Sequence, residues 1–85
     1  MRIVAFHQEA LEQFGDWAQT DKKVFQRLLR LISETAKNPF DGIGKPEPLK
    51  ADLKGYWSRR LTDEHRLVYK VTDEQIIIVA CKYHY

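Results

Sequence analysis

The sequence predicts an α+β fold in which two N-terminal helices pack on one face of a mainly antiparallel four-stranded sheet, in the order β-α-α-β-β-β. A short β-rich run opens the chain, two segments with apolar residues at helical spacing follow, and three strand-like runs fill the second half. Amphipathic helices must cover an apolar surface, and the sheet supplies one. The chain has 85 residues, so we expect a single domain over residues 1–85.

The first half of the chain carries one strand and both helices. Arg2 to Phe6 predicts the strand. Apolar residues at helical spacing then predict the first helix, which ends at Thr20-Asp21, a pair that also offers a cap for the next helix. The second helix has a single apolar stripe and ends at Asn38-Pro39. Its stripe consists of Val24, Phe25, Leu28, Leu29, Ile32 and Ala36.

The second half predicts strands over residues 56–61, 66–72 and 75–83, joined by short polar turns. Side chains alternate between the two faces of a strand, which divides the middle strand into two sets. The set that should face the helices is Leu67, Tyr69 and Val71. The set that should point away from them is Arg66, Val68 and Lys70.

A loop rich in proline and glycine separates the helices from these strands. Residues 38–48 hold all three prolines and two of the four glycines, so they cannot form a helix or a central strand. Glu47 lies between Pro46 and Pro48, whose rings restrict the backbone on both sides. The carboxylate is therefore held on a stiff arm, as a general base would require. An ordinary solvated glutamate is the simpler interpretation of this position alone.

Positive charge is concentrated in one stretch of the second half. Residues 1–42 carry six basic and six acidic side chains, whereas residues 43–85 carry eight and six. The basic residues are interleaved with aromatic ones, and this pattern suits a phosphate backbone because cations neutralise phosphates and rings stack on bases. A solvated sheet face is the plainer alternative. The residues of this stretch that we assign to RNA binding are Lys45, Lys50, Arg59 and Arg60.

The pairing of the first two of these strands would concentrate charge on the outer face of the sheet. If the intervening turn pairs Arg60 with Arg66, the two arginines lie directly opposite each other and repel. A bound polyanion would relieve the repulsion, and so would salt bridges to Asp63 or Glu64. The charge pattern leaves both explanations open.

Several classes of protein are excluded or disfavoured by composition. A single cysteine rules out an internal disulfide framework, and the histidines and Cys81 lack the spacing of a metal site. There is no glycine-rich phosphate loop and no motif of a nucleophilic triad. The longest apolar run, Ile76–Cys81, is too short for a bilayer, and the N-terminus lacks the apolar core of a signal peptide. We therefore expect a cytoplasmic protein with no membrane association, no metal and no cofactor.

A glutamate, an arginine and a histidine remain as candidates for chemistry, and together they fit metal-free RNA cleavage. A base takes the proton of a ribose 2′-hydroxyl, an acid protonates the leaving 5′-oxygen, and a cation stabilises the transition state. His84 lies between Tyr83 and Tyr85 at the end of the sequence. A three-residue turn before the last strand would put His84 on the face of Arg66, whereas a two-residue turn would put the two tyrosines there.

Residues 42–50, with the sequence GIGKPEPLK, and residues 55–69, with the sequence GYWSRRLTDEHRLVY, resemble the YoeB toxin family, as does the ending ACKYHY. The resemblance implies a RelE-like fold and the toxin of a type II toxin–antitoxin system. It implies a ribosome-dependent, metal-independent endoribonuclease that cleaves mRNA in the ribosomal A site. The implied partners are mRNA, the ribosome, an antitoxin of the YefM or Axe kind, and a second copy of the chain in a homodimer.

The same resemblance implies a role for each matching residue. Glu47 would be the general base and His84 the general acid. Arg66 would stabilise the transition state, and Tyr85 would orient the substrate. The positions that match supporting residues of the family are Lys50, Arg60 and Glu64. Two alternatives remain: a toxin of the same fold that inhibits a protein target, as ParE relatives do, or a non-catalytic module that binds RNA or a partner.

Overall fold

The computed structural model describes residues 1–83 and has a five-stranded sheet with two helices on one face. The elements are β1 (Ile3–Phe6), α1 (Gln8–Thr20), α2 (Lys22–Lys37), β2 (Glu47–Pro48), a short 3-10 turn (Ala51–Leu53), β3 (Tyr56–Arg60), β4 (Arg66–Val71) and β5 (Gln75–Ala80). The strand order is β1-β5-β4-β3-β2; β1 runs parallel to β5 and the other neighbours are antiparallel. The predicted α+β fold is thus confirmed. Neither helix is long and apolar enough to span a bilayer.

The sheet has one strand more than the sequence predicted. Glu47 and Pro48 form β2, which pairs antiparallel with β3 and places Glu47 opposite Ser58 and Pro48 opposite Trp57. A proline cannot donate to a neighbouring strand, so this pairing is possible only at the edge of the sheet. The prediction that residues 38–48 cannot form a central strand therefore holds, but the four-stranded sheet was one strand short.

Asp21 separates the two helices and begins the second. Its backbone is extended, and its Oδ1 accepts a hydrogen bond from the Val24 amide at 3.2 Å. Asp21 also ends α1, because its own amide donates to the Trp17 carbonyl at 3.0 Å. The predicted cap at Thr20-Asp21 is confirmed, and it lets α2 fold back along α1 over the sheet.

The core lies between the helices and the inner face of the sheet. From β4 and β5 it receives Leu67, Tyr69, Ile76 and Ile78, all fully buried, which confirms the inward set predicted for β4. The stripe predicted for α2 needs a correction, because Leu29 is 44% exposed whereas Leu31 is fully buried. A helix turns 100° per residue, so a stripe through Leu28 continues at positions 31, 32, 35 and 36 and passes Leu29 by.

Gly44 lies where the loop after α2 crosses the core, and its conformation excludes other residues. Its φ is +79°, and an added Cβ would lie 2.9 Å from Leu31 Cδ2 and 3.2 Å from the Arg60 carbonyl oxygen. We predict that Gly44→Ala lowers the free energy of unfolding by about 2–4 kcal/mol, because it adds a left-handed alanine and a clash.

Urea unfolding followed by circular dichroism measures this loss, with Gly15→Ala as the matched control. Gly15 lies in α1 with open space around it, so alanine there should raise the free energy of unfolding by up to about 1 kcal/mol. Equal effects of the two substitutions would contradict the strained position assigned to Gly44.

Candidate functional site

The outer face of the sheet, opposite the helices, brings Glu47 and Arg66 together. Glu47 is opposite Ser58 on β3, and Ser58 is opposite Val68 on β4, so these three residues form one row across the outer face. Arg66 begins β4 two residues before Val68 and therefore lies on the same face. Its Nη1 is 3.6 Å from Glu47 Oε1. Two residues 19 positions apart in sequence thus meet across an intervening strand.

The Arg66 guanidinium has donor capacity to spare. Its side chain is only 17% exposed, and Nε is buried with no hydrogen-bond partner among the residues that the structure describes. The 3.6 Å contact with Glu47 is an ion pair rather than a hydrogen bond. Buried donors are normally satisfied, and a guanidinium matches a phosphate with two parallel hydrogen bonds. The guanidinium is therefore arranged to bind an anion.

The electrostatics of the outer face are dominated by cations. Arg60 lies directly opposite Arg66 in the register of β3 and β4, which is the pairing that the sequence left as one possibility, and Lys70 lies further along the same face. Arg60 and Lys70 are exposed, and the ion pair of Arg66 within residues 1–83 is with Glu47 rather than with Asp63 or Glu64. One carboxylate among these cations leaves a net positive surface, which attracts a polyanion.

The last described residues are bound beside the first residues of β4. The Tyr83 amide donates to His65 Nδ1 at 2.7 Å, and the Tyr83 carbonyl accepts from the Arg66 amide at 3.3 Å. The His65 ring packs edge-on against Trp17, with centroids 4.9 Å apart, and Trp17 Nε1 donates to the Cys81 carbonyl at 2.8 Å. The chain is therefore fixed next to Arg66 immediately before position 84.

The alternation of faces along the last strand, which we used to predict the position of His84, cannot be extended to that residue. The turn before β5 is the two-residue alternative, since the Thr72 amide donates to the Gln75 carbonyl. However, a register shift between Val68 and Tyr69 changes the alternation along the rest of β5, and the strand ends at Ala80. His84 and Tyr85, the predicted acid and the predicted orienting residue, lie outside the described residues.

Comparison with known proteins identifies the family. Residues 6–85 match the family described as YoeB-like toxin of bacterial type II toxin-antitoxin system. The chain belongs to the YoeB toxin family. Toxin YoeB of Streptomyces coelicolor is 56% identical over 85 residues, with 100% of both chains covered. The resemblance of the central and C-terminal sequences to this family is thus confirmed over nearly the whole chain.

Solved structures of YoeB proteins have the same fold. The YoeB dimer from Staphylococcus aureus superposes with a TM-score of 0.91 at 45% identity, covering 99% of this chain and 98% of that one. The heterotetrameric YoeB-YefM toxin-antitoxin complex from the same organism superposes with a TM-score of 0.90 at 44% identity, covering 100% and 99%. In those proteins the fold therefore forms a dimer and a complex with an antitoxin.

The four residues assigned to RNA binding lie in two different environments. Lys45, Lys50 and Arg60 are exposed. Arg59 is not: it is fully buried on the inner face, and its guanidinium is bonded to Tyr69 Oη and to backbone carbonyls. The prediction that Arg59 binds RNA is therefore wrong for this structure, because an arginine enclosed in the core presents no donor to a ligand on the opposite face. Glu64, the predicted supporting residue, is exposed in the turn before β4.

His65 and Trp17 belong to the surroundings of the site, although no sequence pattern placed them there. His65 was considered there only as a metal ligand, but its Nδ1 accepts a hydrogen bond from Tyr83. This contact joins residues 18 positions apart, and the Trp17–Cys81 contact joins residues 64 apart. A local sequence pattern does not reveal contacts between residues so far apart in the chain.

Cys81 is the one cysteine of the chain, and its burial makes it unreactive. Its thiol lies close to the Ala10 carbonyl, 3.7 Å from Sγ to oxygen, and burial raises its pKa to about 12. The nucleophilic form of cysteine is the thiolate, so this residue takes no part in the chemistry of the site. The sequence-based interpretation of Cys81 as a small buried apolar residue agrees with this environment.

The raised pKa of Cys81 predicts a loss of stability at alkaline pH. The thiol ionises near its ordinary value of 9.0 in the unfolded chain but stays protonated to about 12 in the folded one. Between these values the unfolded state binds fewer protons, so the free energy of unfolding falls as pH rises, by at most about 1.4 kcal/mol per pH unit. Urea unfolding from about pH 8 to about pH 11 should show that the free energy of unfolding falls more steeply for the wild type than for Cys81→Ala. Parallel curves would contradict the buried neutral thiol.

Proposed function

We propose that this chain is a ribosome-dependent endoribonuclease toxin that cleaves mRNA in the ribosomal A site and thereby stops translation. The observation that carries the proposal is the meeting of Glu47 and Arg66 on a basic face, with the Arg66 Nε buried and unpaired among residues 1–83. A carboxylate and a guanidinium with free donors side by side are what proton removal and phosphate stabilisation need at one phosphodiester. Membership of the YoeB toxin family supports the same activity.

The reaction begins at the ribose 2′-hydroxyl. Glu47 accepts its proton, and the 2′-oxygen attacks the adjacent phosphorus. Negative charge builds up on the phosphate oxygens in the transition state, where the Arg66 guanidinium donates to them. This cation does the work that a metal ion does in other nucleases, so the proposed mechanism needs none. Glu47 is 57% exposed, so RNA can reach its carboxylate, and Arg66 is mostly enclosed, which suits a fixed cation beside the base.

The reaction ends with the departure of the 5′-oxygen. His84 gives it a proton as the bond between phosphorus and this oxygen breaks, so the products carry a 2′,3′-cyclic phosphate and a 5′-hydroxyl. The proposal for His84 draws support from Tyr83, whose backbone is bound to His65 and Arg66, because position 84 follows directly. Tyr85 is proposed to orient the RNA. The exposed cations Lys45, Lys50 and Arg60 are proposed to bind its phosphates, with Glu64 in support.

The proposed partners follow from the substrate and from the relatives. The YoeB of Staphylococcus aureus forms a dimer and a complex with YefM. We therefore propose that this chain dimerises and that a YefM-like antitoxin inactivates it. Its substrate, mRNA on the ribosome, implies action in the cytoplasm.

Growth arrest and cleavage mapping test the proposed activity. Induction of the wild-type chain should stop growth and produce cuts within codons of translated mRNA. Glu47→Gln and His84→Gln should each lower the cleavage rate by about 10²–10⁴, because each removes a proton-transfer group. Arg66→Lys keeps the charge but loses the paired donors, so it should also be impaired.

Two exposed residues at the N-terminal end of α1, on the helical side of the sheet, supply matched controls. Glu9→Gln and His7→Gln repeat the same substitutions at the start of α1 and should leave cleavage unchanged. If Glu47→Gln and His84→Gln arrest growth as well as the wild type does, the chain acts by binding a target, as in the ParE-like alternative, and the nuclease proposal fails.

A further inference from the structure

The fully buried Arg59 is a charged side chain to which the proposed reaction gives no task. No carboxylate of residues 1–83 lies within ion-pairing distance of its guanidinium. Burial of a cation without a counter-charge is unfavourable, and an arginine stays protonated inside a protein. The fold must therefore gain something specific from a guanidinium at this position.

The guanidinium is satisfied by the loop that follows α2. Arg59 Nη2 donates to the carbonyls of Asn38 and Asp41, and Nη1 donates to the carbonyl of Ile43 at 3.0 Å. Its Nε donates to Tyr69 Oη at 3.2 Å, and that hydroxyl donates to the Pro39 carbonyl at 2.7 Å. One side chain of β3, with help from Tyr69, thus binds four carbonyls of a segment that forms no helix or strand.

Burial of Tyr69 keeps this arrangement in one protonation state. Burial raises the pKa of its hydroxyl above the ordinary value of 10.0, although the hydrogen bond and the charge of Arg59 oppose the shift. The hydroxyl therefore retains its proton at neutral pH and can accept from Arg59 while donating to Pro39. The loop carbonyls, which have no partners in regular secondary structure, obtain donors in this way.

The same loop leads to Glu47. Gly44 follows Ile43 and packs against the stem of Arg59, and its carbonyl accepts from the Arg60 amide at 2.7 Å. Only Lys45 and Pro46 separate Gly44 from Glu47, which pairs with Ser58, the neighbour of Arg59. Residues 58–60 of β3 therefore hold the chain on both sides of the short segment that presents the carboxylate.

We infer that Arg59 is a positioning residue, which binds the carbonyls of residues 38–43 and so sets the distance between Glu47 and Arg66. The inference rests on the proposed function, in which Glu47 is the base. Arg59 lies on the inner face of the sheet, so it affects the position of the base and not the affinity for RNA.

Steady-state cleavage of mRNA on programmed ribosomes, measured over a range of ribosome concentrations, tests the inference. Arg59→Lys retains the charge, but one ammonium cannot replace a fork that binds four separated acceptors. It should lower kcat by on the order of 10- to 100-fold through misplacement of the base, with KM unchanged. Tyr69→Phe removes only the hydroxyl that joins Arg59 to Pro39 and should lower kcat less. Arg30→Lys, on the exposed side of α2, is the matched control and should leave both constants unchanged.

A double-mutant cycle with Glu47→Gln separates positioning from a general loss of structure. If Arg59 acts through Glu47, Arg59→Lys should cause no further loss in the Glu47→Gln background. Equal losses in both backgrounds would overturn the inference, and so would a raised KM with kcat unchanged, which would indicate direct contact with RNA. If circular dichroism shows that Arg59→Lys does not fold, the same cycle with Tyr69→Phe decides.

Failure of the proposed function would look different. In that case Glu47→Gln alone would cleave at the wild-type rate, which contradicts the assignment of the base. The present inference fails alone when Glu47→Gln is inactive and Arg59→Lys either retains the wild-type kcat, loses as much in both backgrounds, or raises only KM.

Discussion

The pairing of two residues at the sheet edge, Glu47 and Pro48, with β3 is the constraint on which the chemistry of the outer face depends. It places a carboxylate from a proline-rich loop in the same row as Ser58 and within 3.6 Å of Arg66, across the width of a strand. The flanking prolines restrict the backbone of the loop but do not determine where it lies. Its location comes from β3, which contributes the pairing partner on the outer face and Arg59 on the inner face.

Two neighbouring arginines lie on opposite faces of β3, in opposite environments. Arg60 is exposed on the outer face opposite Arg66, where like charges repel unless an anion binds. Arg59, one residue earlier, is enclosed and gives its hydrogen bonds to the loop. The repulsion among the outer cations favours a polyanionic ligand. The inner guanidinium instead stabilises one conformation of the loop over residues 38–43. We propose that binding of the RNA phosphates and placement of the base are divided between the two residues in this way.

The fold and the outer-face position of Arg66 could be predicted from local patterns, because alternation and helical periodicity reflect burial directly. Alternation along β4 correctly assigned Leu67 and Tyr69 to the core and Arg66 to the outer face. Alternation along β3 also implies that Arg59 faces inward, but its charge led us to assign it to RNA, since arginine is seldom fully buried. A two-residue strand has too few residues to show a period, and the bond from Tyr83 to His65 joins distant positions. Such features depend on tertiary contacts that no short segment encodes.

In the proposed reaction, Glu47 and Arg66 act together on a ribose 2′-hydroxyl and its neighbouring phosphate. The decisive substrate is mRNA on programmed ribosomes in which the nucleotide before the scissile bond carries a 2′-deoxy sugar. We expect the wild-type chain to cleave the unmodified message to a 2′,3′-cyclic phosphate end and to leave the deoxy message uncut. Cleavage of the deoxy message at a comparable rate would show that another nucleophile attacks, and Glu47 would then have no 2′-hydroxyl proton to accept.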